Sequence, residues 1–484
     1  MEDKAIRGVP WTMLSYAGNK AITFGVTIVL ARLLVPGDFG LIALGMLVLG
    51  VPNLFGDFGL TGTLVLRQDL DSRAKGTALT MMVASGLGLT LVVALLAPLA
   101  ADLFHEPRLS GVILALAPTV LFSSLAWFYD ALLQRELEFR RRFAGQVVQA
   151  ATYAAVAILL AILGAGVWSL VVGQLAGVAS YAAAFVSLAP YRVRPTWDRR
   201  AARDVLATSR GFLLLTGVAF LSQNVDYFAI GRALSATQMG FYSLAYRLGE
   251  LPYWGIADPV AQATFPGFAR MLQRGEDVRP SFLSVLGLVA FISCPLGVLL
   301  SGAAEPFTRA VFGDQWLPMV GPLAVLGIWA AIRPVQVTVA WLLNSVGHAG
   351  LMGAIDLALL VPLVPGALIA AHRGSITAVA YVMLAYMAIS LVILALVARR
   401  QADVSLSSQW AAVRAVVVAC PFAWGAARGA SEILASAPPG TSLVAAVVAG
   451  TVGYAGIISL VEPGRLMQAA AQISRVIGRA PAPA

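Results

Sequence analysis

Residues 31–52 read ARLLVPGDFGLIALGMLVLGVP, and residues 231–252 read GRALSATQMGFYSLAYRLGELP. Aligned without a gap at an offset of 200, they pair Arg32 with Arg232, Leu34 with Leu234, Gly40 with Gly240, Leu44 with Leu244 and Pro52 with Pro252. A second echo sets Leu132-Leu133-Gln134 against Leu342-Leu343-Asn344. The chain therefore reads as two related halves. What surrounds each half decides the medium in which it folds. Of 484 residues, 59% are hydrophobic and only 12% are charged. A soluble protein carries about 25% charged residues, so a soluble domain of this composition could not cover its surface. The expectation is a polytopic membrane protein, in which helices satisfy their own backbone polar groups.

About 20 apolar residues cross the hydrocarbon core as a helix. Working outward from the repeat, such runs fall at 9–33, 39–64, 76–99, 111–134, 143–163 and 166–189. After an Arg-rich break they resume at 210–232, 238–267, 281–302, 318–344, 350–371, 375–398, 410–430 and 441–461. This predicts an all-α fold of about fourteen spans. Pro252, Pro259, Pro322 and Pro334 predict kinks in spans 8 and 10. The first run is too long for the core of a cleaved signal peptide and is read as a retained span.

With the N-terminus inside, the cytoplasmic segments hold 23 of the 33 basic residues and the outer segments six. This asymmetry is the positive-inside pattern. It accounts for most of the net charge of +9 and removes the reason to expect a nucleic-acid partner. The two cysteines, Cys294 and Cys420, lie in apolar runs and form no disulfide framework.

Six is an even number of spans, so both halves enter from the same side. Their repeat axis then runs along the membrane normal, the parallel layout of several transporters. The expected organisation is two pseudo-symmetric six-helix lobes, 1–189 and 210–398, joined by a basic cytoplasmic linker at 190–209. Two extra helices occupy 399–461, and a cytoplasmic tail follows at 462–484.

Several stretches resemble one family. They are Ala31-Arg32-Leu33-Leu34 with Pro36-Gly37-Asp38-Phe39-Gly40-Leu41; Phe55-Gly56-Asp57-Phe58-Gly59-Leu60; Leu132-Leu133-Gln134-Arg135 with Phe139-Arg140; Gly166-Val167-Trp168-Ser169-Leu170-Val171; Asp226 through Arg232; and Gly240-Phe241-Tyr242-Ser243-Leu244-Ala245-Tyr246-Arg247. In this order and spacing they resemble the polysaccharide transporter family, the Wzx-type oligosaccharide flippases of the multidrug/oligosaccharidyl-lipid/polysaccharide superfamily. The resemblance implies a bacterial inner-membrane protein with both termini cytoplasmic. It implies alternating access that flips a polyprenyl-pyrophosphate-linked glycan for capsule, exopolysaccharide or O-antigen synthesis. Its partners would be that glycan, membrane lipids and a glycan polymerase or other assembly proteins, with no cofactor and no metal. A lipid II-type flippase and an ion-coupled exporter of the same superfamily are the near alternatives. A membrane polymerase or ligase is the remote one, because the three histidines lie near span ends and no nucleophile–base spacing is visible.

Charge inside a span is costly, so each instance is a functional hypothesis. Four basic residues fall there: Lys20, Arg247, Arg333 and Arg414. Lys20, Arg247 and Arg333 are candidate partners of a pyrophosphate; a snorkelling lysine and structural ion pairs are the competing readings. Arg247 and Glu250 stand at i,i+3, within pairing reach. Asn19, Gln223, Asn224, Tyr246 and Tyr253 are candidate polar and aromatic cavity residues. Asp226, Glu250, Asp57 and Asp258 are candidates for ion coupling or gating. Asp130 and Asp356, near cytoplasmic span ends, read as contacts that close the lobes against each other. Gly173 and Gly177 form a small-xxx-small pair for close helix packing.

Overall fold

The computed structural model describes residues 22–56, 64, 72–136, 138–189 and 192–464. Asn19, Lys20 and Asp57 lie outside the described residues. Those described form helices joined by short turns, with no strand among them. In chain order the helices are α1 (Ile22–Leu33), α2 (Pro36–Gly56), α3 (Ser72–Leu103), α4 (Arg108–Arg135), α5 (Phe139–Ile162), α6 (Val167–Leu188) and α7 (Arg199–Ala233). There follow α8 (Ala236–Gly249), α9 (Asp258–Gln273), α10 (Arg279–Gly302), α11 (Ala304–Val311) and α12 (Val320–Ser345). The last are α13 (Ala349–His372), α14 (Ile376–Gln401), α15 (Leu406–Ile433) and α16 (Pro439–Val461).

Ten helices among the described residues are long and apolar enough to cross a membrane, and α1 and α2 are shorter apolar helices. Twelve of the fourteen expected spans overlap these helices; the expected spans 210–232 and 238–267 fall instead on α7, α8 and α9, which are helical but are not among them. The chain is an all-α, multi-pass membrane protein. The segment expected as a linker is non-helical only over residues 192–198, and α7 starts at Arg199. After Pro195 the run Arg199-Arg200-Ala201-Ala202-Arg203 contains only strong helix formers, so the helix begins within the segment expected as a linker. Pro322 makes no kink. It is the third residue of α12, where a proline takes no in-helix partner away.

The surface of α3 carries an exposed apolar stripe. Leu87, Leu91, Leu95 and Leu99 recur every four residues and are between 60% and 68% exposed. Such a stripe is untenable in water but is the natural outer face of a membrane helix. Inward positions carry small residues, because helix association in lipid depends on close packing. A Cβ on Gly173 would stand 2.8 Å from Ala157 Cβ, and one on Gly177 would stand 3.2 Å from Tyr153 Cβ. The small-xxx-small pair thus seats α6 on α5.

The chain divides into two compact units between Gly240 and Phe241. In the first unit Leu132 and Leu133 are fully buried, in a core with Met82, Phe128 and Phe185. In the second, Leu342 and Leu343 are fully buried with Phe282, Leu286 and Leu394. The echoed pairs are therefore core residues of their own units.

The first unit also explains the motifs around Gly40 and Gly166. The Asp38 carboxylate accepts from the N–H of Val167, at the start of α6, and is buried there. An anion at a helix N-terminus meets unpaired N–H groups. Gly166, with φ of +55°, makes the turn that brings that N–H into place. The repeat-matched glycines meet each other: a Cβ on Gly40 would lie 1.7 Å from the Ala236 carbonyl oxygen, and one on Gly240 would lie 1.8 Å from that of Pro36. Backbone packs on backbone at this crossing, and no side chain fits between.

In the second unit Pro295 has no N–H for the carbonyl of Phe291, four residues earlier. The Tyr454 hydroxyl, from α16, donates to that carbonyl at 2.9 Å. The last helix is thus anchored by the group the proline leaves free. Cys294 and Cys420 are each followed by proline, and the Cys294 thiol donates to the Ala331 carbonyl at 3.3 Å. Both line a cavity of about 410 Å³ whose other walls are apolar side chains of α10, α12, α14 and α15.

Gly40→Ala and Gly240→Ala should each destabilise the protein by about 1–3 kcal/mol, the range for overpacking. Gly88→Ala, which meets nothing within 4 Å, serves as the control. Thermal melting in detergent decides: equal Tm for all three would refute the crossing.

Candidate functional site

A buried polar and aromatic cluster in the second unit is assembled by α8, α12 and the turn after α8. Tyr242, Tyr246 and Glu250 follow at i,i+4 spacing and share one helix face. Pro252 takes a donor away from the carbonyl of Leu248. The chain answers with a π-helical turn, Tyr253–Ala257, in which the N–H of Asp258 reaches the carbonyl of Tyr253. π turns recur at functional sites because the extra residue re-aims the side chains around it. On α12, Trp329 and Arg333 also stand one turn apart, with Pro334 next.

The Arg333 guanidinium is the centre of the cluster. Its Nη1 stands 2.8 Å from Glu250 Oε1 and donates to the Tyr246 hydroxyl at 3.3 Å. Its Cζ lies 4.5 Å from the ring centroid of Tyr253 and 4.8 Å from that of Trp329. The other Glu250 oxygen, Oε2, accepts from the indole N–H of Trp254 at 3.1 Å. Tyr246 in turn packs on Trp329 with 5.2 Å between centroids. Arg333 is only 7% exposed. A desolvated guanidinium is costly unless paired and hydrogen-bonded, and here one carboxylate, one hydroxyl and two π faces compensate it. Trp329 Nε1 is buried with no acceptor among the described residues.

Glu250 therefore pairs across helices with Arg333, and not with Arg247 as the i,i+3 spacing predicts. Arg247 follows Tyr246 on α8, about 100° around the helix from it. Its side chain turns outward and is exposed, with no ion pair to any described residue. The structure brings together Arg333, Glu250, Tyr246 and Tyr253 of the expected site. Asp258 is buried beside Tyr253, close enough to act on its hydroxyl electrostatically.

Gln223, Asn224 and Asp226 lie on α7, in the first unit. Gln223 is exposed and donates to the carbonyl of Ala219 at 3.2 Å, and Asn224 donates to that of Phe220 at 2.8 Å. Asp226 is fully buried, and its carboxylate accepts from the N–H of Tyr227 at 2.9 Å. The two carboxylates expected to close the lobes are held within their own units. Asp130 is gripped by both nitrogens of an Arg142 fork at 2.6 and 2.9 Å, and Asp356 is hydrogen-bonded to Tyr386. Sequence reasoning missed Trp329. Its signal was Trp-x-x-x-Arg-Pro within a span, a spacing that places an aromatic face one turn from a buried cation.

Glu250→Gln or Arg333→Met alone leaves a buried charge without its partner and should cost about 3–5 kcal/mol. The double variant Glu250→Gln/Arg333→Met should recover part of that loss. Melting curves of the three purified variants test this; a double variant whose loss equals the sum of the two single losses would show that the pair is not coupled.

Residues 29–321 match the model of a family described as polysaccharide biosynthesis protein. Among curated proteins, the succinoglycan biosynthesis transport protein ExoT of Rhizobium meliloti is 27% identical over 328 residues, 66% of this chain and 65% of its own length. The lipopolysaccharide biosynthesis protein WzxC of Escherichia coli is 24% identical over 341 residues, 69% of this chain and 68% of its own. The teichuronic acid biosynthesis protein TuaB of Bacillus subtilis is 26% identical over 339 residues, 67% of this chain and 68% of its own. The chain thus spans about two thirds of the length of these relatives. Among solved structures, the lipid II flippase MurJ in an inward closed conformation superposes with a TM-score of 0.77 at 12% identity, over 94% of this chain and 98% of that one. An inward-facing multidrug resistance transporter of the MOP superfamily gives 0.64 at 14% identity, over 81% of this chain and 94% of that one. Those two likenesses are of fold. The family match covers well over half of the sequence, and the chain belongs to the polysaccharide biosynthesis protein family.

Proposed function

We propose that the protein is a flippase that moves a polyprenyl-pyrophosphate-linked oligosaccharide across the bacterial inner membrane by alternating access. The family match and the transport protein among its relatives support a transporter over a membrane enzyme. The observation that carries the site reading is Arg247. It is exposed, has no ion pair to any described residue, and lies in a segment expected as a span; a cation within a span is tolerated where it faces water or a polar ligand. A pyrophosphate offers two adjacent anionic groups to such a cation.

In this reading Arg247 is the first contact for the pyrophosphate, together with Lys20. Arg333 positions the cluster: held by Glu250, it fixes the π turn and the rings of Tyr253 and Trp254, which offer faces for sugar stacking. Asp226 and Asp258, both buried, are the carboxylates proposed for ion coupling. Both termini are cytoplasmic in this scheme, and a glycan polymerase or another assembly protein receives the product. The near alternatives, a lipid II-type flippase and an ion-coupled small-molecule exporter, share the fold.

Reconstituted vesicles loaded with a polyprenyl-pyrophosphate oligosaccharide provide the test. Arg247→Ala should lower the initial flipping rate at least about tenfold, the effect of losing a charge-assisted hydrogen bond worth about 1.4 kcal/mol or more. Wild-type rates in both Lys20→Ala and Arg247→Ala would remove this site assignment. In the same vesicles, Asp226→Asn should abolish any acceleration by a proton or sodium gradient; an acceleration equal to wild type would release Asp226 from coupling.

A further inference from the structure

Between α6 and α7, residues 192–198 cross the end of α3 without helical structure. The segment is stitched down at two residues. Thr196 donates from its N–H to the Gly76 carbonyl at 3.3 Å and from its hydroxyl to the Arg73 carbonyl at 3.0 Å. Its own carbonyl accepts from the Thr80 hydroxyl at 2.9 Å. Asp198 donates its N–H to the Thr77 hydroxyl at 3.1 Å. Gly76 permits this approach: a Cβ there would lie 2.3 Å from the Thr196 hydroxyl oxygen and 2.5 Å from the Arg194 carbonyl.

Trp197 sits between the two stitched residues, and its side chain is 60% exposed. Four hydrogen bonds on its neighbours thus hold a large apolar ring outward. Arg73, Arg192, Arg194 and Arg199 surround it in sequence and on the α3 end. All four are exposed, with no ion pair to any described residue. A flexible basic loop would satisfy the positive-inside pattern equally well, so topology alone does not require this rigidity. An indole belongs at the boundary between hydrocarbon and headgroup, and unpaired arginines there attract the anionic lipids of the leaflet they face.

We infer that this clamped segment is a docking surface for the phosphate headgroups of anionic phospholipids. Trp197 seats among the glycerol and upper acyl groups, and Arg192, Arg194 and Arg199 contact the phosphates. The clamp holds ring and charges in one arrangement before lipid arrives, which reduces the ordering cost of binding. The surface orients the start of α7 against the membrane. This inference rests on the chain being a membrane protein and is independent of which glycan it carries.

Native mass spectrometry of the full chain in detergent, titrated with phosphatidylglycerol or phosphatidylcholine, tests it. The triple variant Arg192→Gln/Arg194→Gln/Arg199→Gln should bind phosphatidylglycerol at least tenfold more weakly, with phosphatidylcholine unchanged. Gly76→Ala, which keeps every charge but loosens the clamp, should weaken phosphatidylglycerol binding at least threefold. In vesicles, brominated phosphatidylglycerol should quench wild-type tryptophan fluorescence more than that of Trp197→Phe. Undiminished phosphatidylglycerol binding by the triple variant would overturn the inference. So would a surface that binds polyprenyl pyrophosphate or an acidic protein but shows no preference for phosphatidylglycerol over phosphatidylcholine. Flipping measured in parallel separates this outcome from failure of the transport reading.

Discussion

In hydrocarbon a peptide group without a hydrogen-bond partner costs several kcal/mol, and the rest of the fold follows from that constraint. It makes every described crossing segment a helix. It also dictates what happens where proline breaks the pattern. At Pro295 the freed carbonyl of Phe291 is taken by the Tyr454 hydroxyl. At Pro252 the chain shifts to a π-helical turn. Both solutions have structural consequences: one anchors the last helix, and the other sets the aromatic faces beside Arg333.

The same constraint governs charge. Arg333 is tolerated inside the second unit because Glu250, Tyr246, Tyr253 and Trp329 replace the water it lost. Arg247, one turn before Glu250 on the same helix, has no such shell and turns outward. The two arginines look alike in sequence and differ in surroundings: Arg333 is compensated by a carboxylate, and Arg247 has no ion pair among the described residues. A compensated arginine gains less from a phosphate than an uncompensated one, which is why the proposed pyrophosphate contact is Arg247.

Much of the architecture was legible in advance. The hydropathy runs located the helices because length and apolarity are local properties. The two sequence echoes identified residues that the structure uses in earnest: at an offset of 200, Gly40 and Gly240 form one backbone crossing, and at an offset of 210 the two Leu-Leu pairs lie in the cores of their units. Gly173 and Gly177 were readable as packing positions because small residues at i,i+4 have little other use on an apolar helix. The partner of Asp130 was not legible, because Arg142 lies on the next helix and distance in space is not a sequence quantity.

The sequence by itself determined the solvent, the placement of most helices, the uneven distribution of basic residues and which few charges had to be explained. These depend on composition and on periods of a few residues. Tertiary structure alone decided which charges compensate each other. Glu250 had a neighbour three residues away in Arg247 and another 83 positions away in Arg333, and it took the distant one. The i,i+3 spacing offers proximity on one helix face, but Pro252 and the π turn re-aim the chain so that α12 presents its guanidinium at 2.8 Å. Local spacing ranks the possible partners; the packing of α12 against the proline-ended α8 selects the real one.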